Sequence, residues 1–166
     1  MGNKRMLTIV PAGQKVLAGL ATFITLPAAA WHAPTEAAPV QFYPEQGLIT
    51  GRGDWELGIV AYRNRPFLVD HLEHHVTTGE LLYAVDDDFI MPVAPTKAGT
   101  ELPDIEKMVA VHVRRGQGLL FGTAVWHWAP YPLRPQSFAL VGFGRGTSTK
   151  DMIIRELDAL VEMAFA

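Results

Sequence analysis

The sequence of 166 residues contains no cysteine. Disulfide bonds, cysteine-ligated zinc sites and thiol nucleophiles are therefore excluded, and any metal would need His, Asp or Glu ligands. The 14 Lys and Arg residues are scattered along the chain and the formal net charge is −3, so there is no basic patch of the kind that binds nucleic acid. Hydrophobic residues make up 49% and charged residues 19% of the sequence, a composition typical of a globular protein rather than a disordered one.

The sequence also lacks an uninterrupted apolar run of the about 20 residues that a membrane-spanning helix needs. Residues 16–35 carry no formal charge, but Pro27 breaks the apolar run near its end. Lys4 and Arg5 precede the run, as in a secretory signal, although the proline-containing, polar stretch 11–15 separates them from it. We therefore expect a cytoplasmic protein in which this apolar run forms a first strand or short helix, with secretion as the less favoured alternative.

The 12 prolines and 15 glycines divide the sequence into short pieces, and no heptad or internal repeat is visible. Short apolar runs, such as 57–62 and 80–85, are followed by turn-forming sequences, "RNRP" and "DDD" respectively. This pattern predicts a mainly β fold, an antiparallel barrel or sandwich. The length predicts a single domain spanning residues 1–166, and the proline-rich stretch 27–39 predicts a loop.

The C-terminal stretch has a different periodicity, which predicts an α-helix over residues 150–164. Its apolar residues fall on one helical stripe and its charged residues fall elsewhere. The residues of the stripe are Ile153, Ile154, Leu157, Leu160 and Val161. We expect this helix to pack on the sheet or on a second subunit.

The stretch "LEHHVTTGE" at 72–80 concentrates polar groups at the head of an apolar strand. Residues two apart in a strand face the same way, so Glu73 and His75 share one face, which His71 can join, while His74 points to the opposite side. Burying such groups without partners costs on the order of 2–7 kcal/mol. The strand therefore predicts either a solvent-facing edge or a functional site.

A second polar position, His127, lies between Trp126 and Trp128 in "GQGLLFGTAVWHW". The two stretches together resemble the paired motifs of cupin barrels, which have His-x-His followed by Glu, and later a Gly eleven residues before a His. Glu73-x-His75 followed by Glu80 resembles the first motif, with Glu in place of the leading His. Gly116 to His127 has the second spacing. The resemblance implies a cupin-type antiparallel β-barrel or sandwich, here with a C-terminal α-helix.

A narrower resemblance covers residues 72–145, whereas residues 1–55 match poorly. "LEHHVTTGELLYAV" and "GQGLLFGTAVWH" are similar to stretches of the ureidoglycolate lyase family, cupin-fold enzymes of allantoin breakdown in purine metabolism. "SFALVGFGRG" resembles the strand that ends the core of that family. The sequence departs from the family at His74, Glu80 and Gly144, where the family has Arg, Gln and Asp.

The resemblance implies an enzyme that cleaves ureidoglycolate, or a related hydroxy-acid amide, to glyoxylate and urea. The implied catalytic residues are Glu73, His75, Glu80 and His127, and the implied substrate-binding residues are Gln117, Trp126 and Arg145. Such a lyase needs an acid and a base but no organic cofactor. Burial and neighbouring charges can shift the pKa values of Glu and His so that they serve as the acid and the base. The expected partners are a small-molecule substrate and a second copy in a homodimer, with no nucleic acid and no membrane.

The same four residues, Glu73, His75, Glu80 and His127, also form a candidate site for a divalent metal. Two imidazoles and two carboxylates suit Mn, Fe, Ni or Zn. Glu80 in place of the neutral Gln of the family would offset part of the metal charge. The alternative function is therefore a metal-dependent cupin enzyme, an isomerase, dioxygenase or decarboxylase, acting on another small polar acid.

A third hypothesis is a non-catalytic cupin that binds a small ligand between Trp126 and Trp128. Alternatively, one or both tryptophans have a purely structural role in the core. His32 and His112 belong to neither of the two paired motifs, and we interpret both as structural or surface residues.

Overall fold

The computed structural model describes residues 4–25, 46–48 and 53–166. The predicted loop at 27–39 and His32 lie outside these residues. The twelve strands of the described part are, in chain order, β1 (Arg5–Pro11), β2 (Ala21–Ile24), β3 (Trp55–Arg63), β4 (Leu68–His74), β5 (Glu80–Ala84), β6 (Phe89–Ala94), β7 (Val109–Val113), β8 (Gly118–Phe121), β9 (Trp126–His127), β10 (Tyr131–Pro132), β11 (Gln136–Gly144) and β12 (Ile153–Phe165). A 3-10 turn, Ile105–Lys107, and a one-turn helix α1, Thr147–Lys150, are the helical elements among the described residues.

The mainly β fold is confirmed, and its strands form two sheets. The larger sheet has the order β10-β6-β7-β1-β12-β4-β9, and β6 also pairs with β9. That extra pairing closes six strands into a ring. The smaller sheet has the order β2-β8-β5-β11-β3.

Side chains of the ring fill two separate apolar clusters, because successive residues of a strand face opposite sides. In β6 the residues Phe89, Met91 and Val93 belong to one cluster, while Ile90 and Ala94 belong to the other. The ring core is the cluster that receives side chains from all six ring strands: Ile9, Val69, Leu72, Ile90, Ala94, Ala110, Trp126, Val161 and Met163. The intersheet core is the other cluster, which includes Leu82, Phe121 and Ala139 of the smaller sheet.

The larger sheet is mixed, not purely antiparallel as the sequence predicts. β1 runs parallel to both of its neighbours, β7 and β12. Parallel neighbours cannot be joined by a tight hairpin, and β1 is separated from both strands by most of the chain. Hairpin-based reasoning from local turns therefore could not detect these pairings.

The predicted helix at 150–164 is wrong, although a short helix does precede the last strand. α1 ends at Lys150, and residues 153–165 form the strand β12. From Leu157 to Ala164, more buried and more exposed residues alternate, with Val161 and Met163 buried. β12 pairs with β1 on one side and β4 on the other. Hydrogen bonding to two neighbours and burial in the ring core outweigh a weak helical preference.

Within the described residues there is no helix that is long and apolar enough to cross a membrane. In the described part of the apolar run 16–35, Ala21–Ile24 forms the strand β2, whereas the first strand of the chain, β1, precedes this run. Between them, residues 14–20 form turns.

Candidate functional site

Three strand ends bring the site together. β4 ends at His74, so His75 lies just beyond it, and Glu80 is the first residue of β5. His127 ends β9, whose neighbour across the ladder is Glu73 of β4. The turn 76–79 returns the chain from one sheet to the other, which places Glu80 opposite the two histidines.

His75, Glu80 and His127 form a buried cluster in which one carboxylate oxygen contacts both imidazoles. Oε2 of Glu80 lies 2.6 Å from Nε2 of His75 and 3.3 Å from Nε2 of His127. All three side chains are at most 8% exposed. The ring of Phe121 stacks on His127 with a centroid distance of 4.5 Å, so water is kept from one face of that imidazole.

Backbone carbonyls fix the orientation of both imidazoles. Nδ1 of His75 lies 2.7 Å from the carbonyl oxygen of Asp151, and Nδ1 of His127 lies 3.0 Å from that of Val125. A carbonyl oxygen can only accept, so each Nδ1 carries a proton and donates it. Each Nε2 is therefore the atom that faces Glu80, either protonated or with its lone pair free for a metal.

The carboxyl group of Glu80 is held in its charged form. Burial alone would raise its pKa, but the imidazoles of His127 and His75 and their hydrogen bonds outweigh burial and lower the pKa from 4.5 to about 2. Burial would likewise lower the pKa of His75, but the hydrogen bonds to Glu80 and to the Asp151 carbonyl raise it above 6.5. The pair therefore favours a carboxylate next to an imidazolium.

Glu73 faces the same pocket but stands outside the three-residue cluster. One ligand atom from each of His75, Glu80 and His127 lies within 4.8 Å of the other two, and among the described residues Glu73 does not join this group. Burial is the main cause that raises the pKa of Glu73, and the negative charge of Glu80 adds to it. The structure thus brings together three of the four predicted ligands and leaves Glu73 as a neighbouring carboxyl.

The pocket above the cluster has a volume of about 240 Å³ and mostly apolar walls. Its lining beyond the four titratable groups consists of Val60, Leu82, Trp128, Ala129, Pro130, Val141, Phe143, Ser148 and Met152. Trp128 is the aromatic wall that sequence reasoning placed next to His127. His71, on the same strand face as Glu73, stacks on Trp128 with a centroid distance of 5.7 Å.

Trp126 does not line this pocket, which corrects its prediction as a substrate-binding residue. It is fully buried in the ring core, where its Nε1 donates to Oγ1 of Thr96 at 3.1 Å. His74 lies against it, with ring centroids 4.2 Å apart. His74 therefore faces away from the pocket, as the strand alternation predicts, but into a second core rather than into solvent.

Gln117 and Arg145 also lie outside the lining of the pocket. The side chain of Gln117 accepts a hydrogen bond from the backbone of Arg114 in the turn before β8. Arg145 lines a neighbouring cleft of about 860 Å³, where it is 77% exposed and 3.7 Å from Asp54. The family pattern placed both residues near the site in sequence, but neither reaches it.

Asp151 is a residue of the site that the sequence gave no reason to select. Its carboxylate accepts hydrogen bonds from the backbone N–H groups of Val76 and Thr77, both at 2.9 Å, and from the hydroxyl of Thr77. Its own carbonyl oxygen orients His75. The contact joins positions 76 residues apart, so no local pattern could have revealed it.

The donor chemistry of the cluster fits a divalent transition metal. Two imidazole nitrogens and one carboxylate oxygen form the ligand set found in many catalytic zinc and non-haem iron sites. Both imidazoles have the Nδ1–carbonyl hydrogen bond that usually orients metal-ligating histidines. His75, Glu80 and His127 are therefore the residues that would hold such an ion.

Comparison with known proteins gives only distant likenesses. No protein-family model matches the chain, and no curated protein matches it. Among solved structures, it is similar to the dTDP-6-deoxy-D-glucose-3,5-epimerase RmlC from Legionella pneumophila Philadelphia 1, in complex with dTDP-4-keto-L-rhamnose. The identity is 12%, the match covers 70% of this chain and 66% of the epimerase, and the TM-score is 0.48.

A second similar structure is a dTDP sugar isomerase from Desulfovibrio desulfuricans G20. The identity is 13%, the coverage is 84% of this chain and 85% of the isomerase, and the TM-score is again 0.48. At this level of similarity, neither structure assigns an activity to the chain.

Proposed function

We propose that the chain is a metal-dependent enzyme that acts on a small molecule in the pocket above His75, Glu80 and His127. The observation that carries the proposal is the hydrogen-bond geometry of the two imidazoles. Both Nδ1 atoms donate to carbonyl oxygens, and both Nε2 atoms converge on one buried carboxylate oxygen. A divalent cation bound between the two Nε2 atoms and this oxygen would balance the negative charge of the Glu80 carboxylate.

When bound, the metal would polarise a carbonyl or hydroxyl oxygen of the substrate as a Lewis acid. The residues of the chain would do the remaining work. His75 and Glu80 hold each other in place, and Phe121 shields His127 from water. Glu73, next to the cluster and with a raised pKa, is suited to take up or deliver a proton as a general acid or base. This combination of groups would support isomerisation or dioxygenation of a small molecule.

Elemental analysis tests the proposal. Protein prepared without chelators, or loaded with Mn, Fe, Ni or Zn and then dialysed, should retain about one ion per chain. His127→Ala should lose most of it. His112→Ala is the matched control, because His112 bonds to Asp88 away from the pocket. Retention far below one ion per chain for all four metals, or an equal loss in the two variants, would reject the metal site.

A metal-free lyase acting on ureidoglycolate or a related hydroxy-acid amide is the second candidate. It is favoured by the raised pKa of Glu73 beside the imidazoles of His75 and His127. A base would take the proton of the substrate hydroxyl as the C=O bond forms, and an acid would protonate the departing nitrogen. The four residues of the pocket can fill both roles without a metal.

Glyoxylate release from ureidoglycolate tests this second candidate. Chelator-treated protein should form glyoxylate faster than buffer, and Glu73→Gln should slow it by about 10²–10⁴. Glu106→Gln is the control, since Glu106 is 86% exposed. Glyoxylate formation no faster than in buffer would exclude the lyase and leave the metal-dependent proposal untouched.

A further inference from the structure

Among the described residues, no Lys or Arg side chain lines the pocket, so no fixed positive charge faces a bound anion there. The titratable groups of the pocket are two carboxyls, Glu73 and Glu80, and two imidazoles, His75 and His127. A bound carboxylate would lose most of its hydration, which costs several kcal/mol unless a cation or several donors replace the water. The side chains of the lining that could supply a positive charge are its two imidazoles.

All ring nitrogens of the two imidazoles already have hydrogen-bond partners within the protein. The two Nδ1 atoms donate to the carbonyls of Asp151 and Val125, and the two Nε2 atoms face Oε2 of Glu80. Glu73 adds a second carboxyl group to the same wall. An incoming carboxylate would therefore meet two acidic side chains and no free donor from the histidines.

The basic side chains nearest to the pocket make contacts outside it. The guanidinium of Arg65 donates to the carbonyls of Pro130 and Ala129, at 2.8 and 2.5 Å, and lies over the ring of Tyr131. Arg145 and Lys150 line the neighbouring cleft instead. Of the 14 Lys and Arg residues, Arg52 alone lies outside the described residues.

The apolar walls of the pocket also favour an uncharged ligand. Trp128, Phe143 and Met152 offer aromatic and aliphatic surface, and the volume of about 240 Å³ limits the ligand to a small molecule. We propose that the substrate is a small uncharged molecule with an apolar or aromatic body and one polar group directed at the cluster. The inference rests on the pocket of the proposed function but not on the metal, and it argues against small carboxylic acids such as ureidoglycolate.

Two probes of nearly equal shape, benzamide and benzoate, test the charge preference. Calorimetric titration of the full chain, freed of metal by a chelator, should show benzamide binding at least about tenfold more tightly than benzoate at neutral pH. Trp128→Ala should weaken benzamide binding. Ser148→Lys adds a cation at an exposed position of the lining, and it should raise the affinity for benzoate several-fold while changing that for benzamide little.

Arg52→Gln is the control for the cation outside the described residues and should leave the preference unchanged. Equal or tighter binding of benzoate, or a benzoate affinity that Arg52→Gln abolishes, would overturn the inference. So would the binding of neither probe at concentrations of about 10 mM.

Repeating the titration with zinc-loaded protein separates this inference from the metal proposal. If no zinc is retained but benzamide is still preferred, the metal proposal fails and the substrate class stands. If zinc is retained and benzoate then binds as tightly as benzamide, the substrate class fails and the metal proposal stands.

Discussion

Nε2 of His75 lies 2.6 Å from Oε2 of Glu80, and both side chains are almost fully buried. A buried pair of this kind is costly to break, because the remaining charge has no water around it. The pair also joins the end of β4 to the start of β5, one strand from each sheet. The chemistry of the site and the stability of this corner therefore depend on the same contact.

The stability of the metal-free protein should depend on pH through this pair. The pKa of Glu80 is lowered from 4.5 to about 2, so its contribution is present above pH 4.5 and is lost as the pH falls towards 2. The pKa of His75 is raised above 6.5, so its contribution is present below pH 6.5 and is lost as the pH rises through the raised value. The pair should stabilise most between pH 4.5 and 6.5.

Glu80→Gln should therefore cost the most stability inside that window, about 3–5 kcal/mol, and less on either side. Urea unfolding of wild type and variant at pH values below, within and above the window measures the difference. Glu106→Gln, at an 86% exposed position, should show no such profile. A difference between Glu80→Gln and wild type that does not vary with pH would contradict the proposed charge states.

Metal retention should separate the three clustered residues from Glu73. His75→Ala, His127→Ala and Glu80→Gln each remove a donor of the cluster and should lower the affinity for zinc by more than about tenfold. Glu73→Gln should leave the affinity nearly unchanged, because Glu73 is not part of the group whose ligand atoms lie within 4.8 Å. Competition with a chromophoric chelator measures the zinc affinity of all four variants. A loss of affinity in Glu73→Gln as large as that in His127→Ala would show that Glu73 is a fourth ligand.

Asp151 should act as a positioning residue for His75. Asp151→Ala removes the acceptor for the N–H groups of Val76 and Thr77, so the turn that follows His75 should loosen. We expect a loss of about 1–3 kcal/mol in unfolding free energy and of about 10-fold in zinc affinity. Asp54→Ala is the control, since Asp54 is 81% exposed and should change neither measurement.

Unfolding by urea and chelator competition on the same preparations distinguish positioning from simple destabilisation. Asp151→Asn keeps the size of the side chain and one acceptor oxygen, so it should recover part of the zinc affinity. If Asp151→Ala lowers stability without changing zinc affinity at a temperature where it is fully folded, its role is structural only.

The alternation of residues along β4 predicted the geometry of the site well. Glu73 and His75 face the pocket while His74 faces the other way, since side-chain direction in a strand follows from position alone. Glu80 and His127 were selected because two spacings occurred together. The structure brings their side chains to within hydrogen-bond distance of one another or of His75.

Sequence reasoning failed where direction and distance depend on the whole fold. The resemblance to the lyase family implies that Trp126 binds substrate, but adjacent residues in a strand face opposite sides, and Trp126 fills the ring core. The contact of Asp151 with the turn after His75 and the parallel pairing of β1 with β12 join distant parts of the chain. No local spacing encodes such contacts.

His74 should be dispensable for function but not neutral for stability. It is buried in the ring core against Trp126, and its Nδ1 has no hydrogen-bond partner. His74→Leu removes an unsatisfied polar atom while keeping volume, so it should leave stability unchanged or increase it. His74→Ala leaves a cavity and should cost about 1–3 kcal/mol.

Both variants should keep zinc affinity, in contrast to His75→Ala. Thermal unfolding measures the stability of the variants, and chelator competition measures their zinc affinity. A loss of zinc affinity in His74→Leu would show that His74, and not His75, faces the pocket.

Two adjacent residues of β12 offer a direct test of the strand that replaced the predicted helix. On the helical stripe, Leu160 and Val161 would both face the core, whereas in β12 Val161 is fully buried and Leu160 is 39% exposed. Val161→Ala should therefore cost about 1–3 kcal/mol in unfolding free energy through lost burial and a cavity in the ring core. Leu160→Ala should cost less than about 1 kcal/mol, although it removes a larger side chain. Urea unfolding of both variants measures the difference. Similar losses in the two would contradict the alternation that positions β12 between β1 and β4.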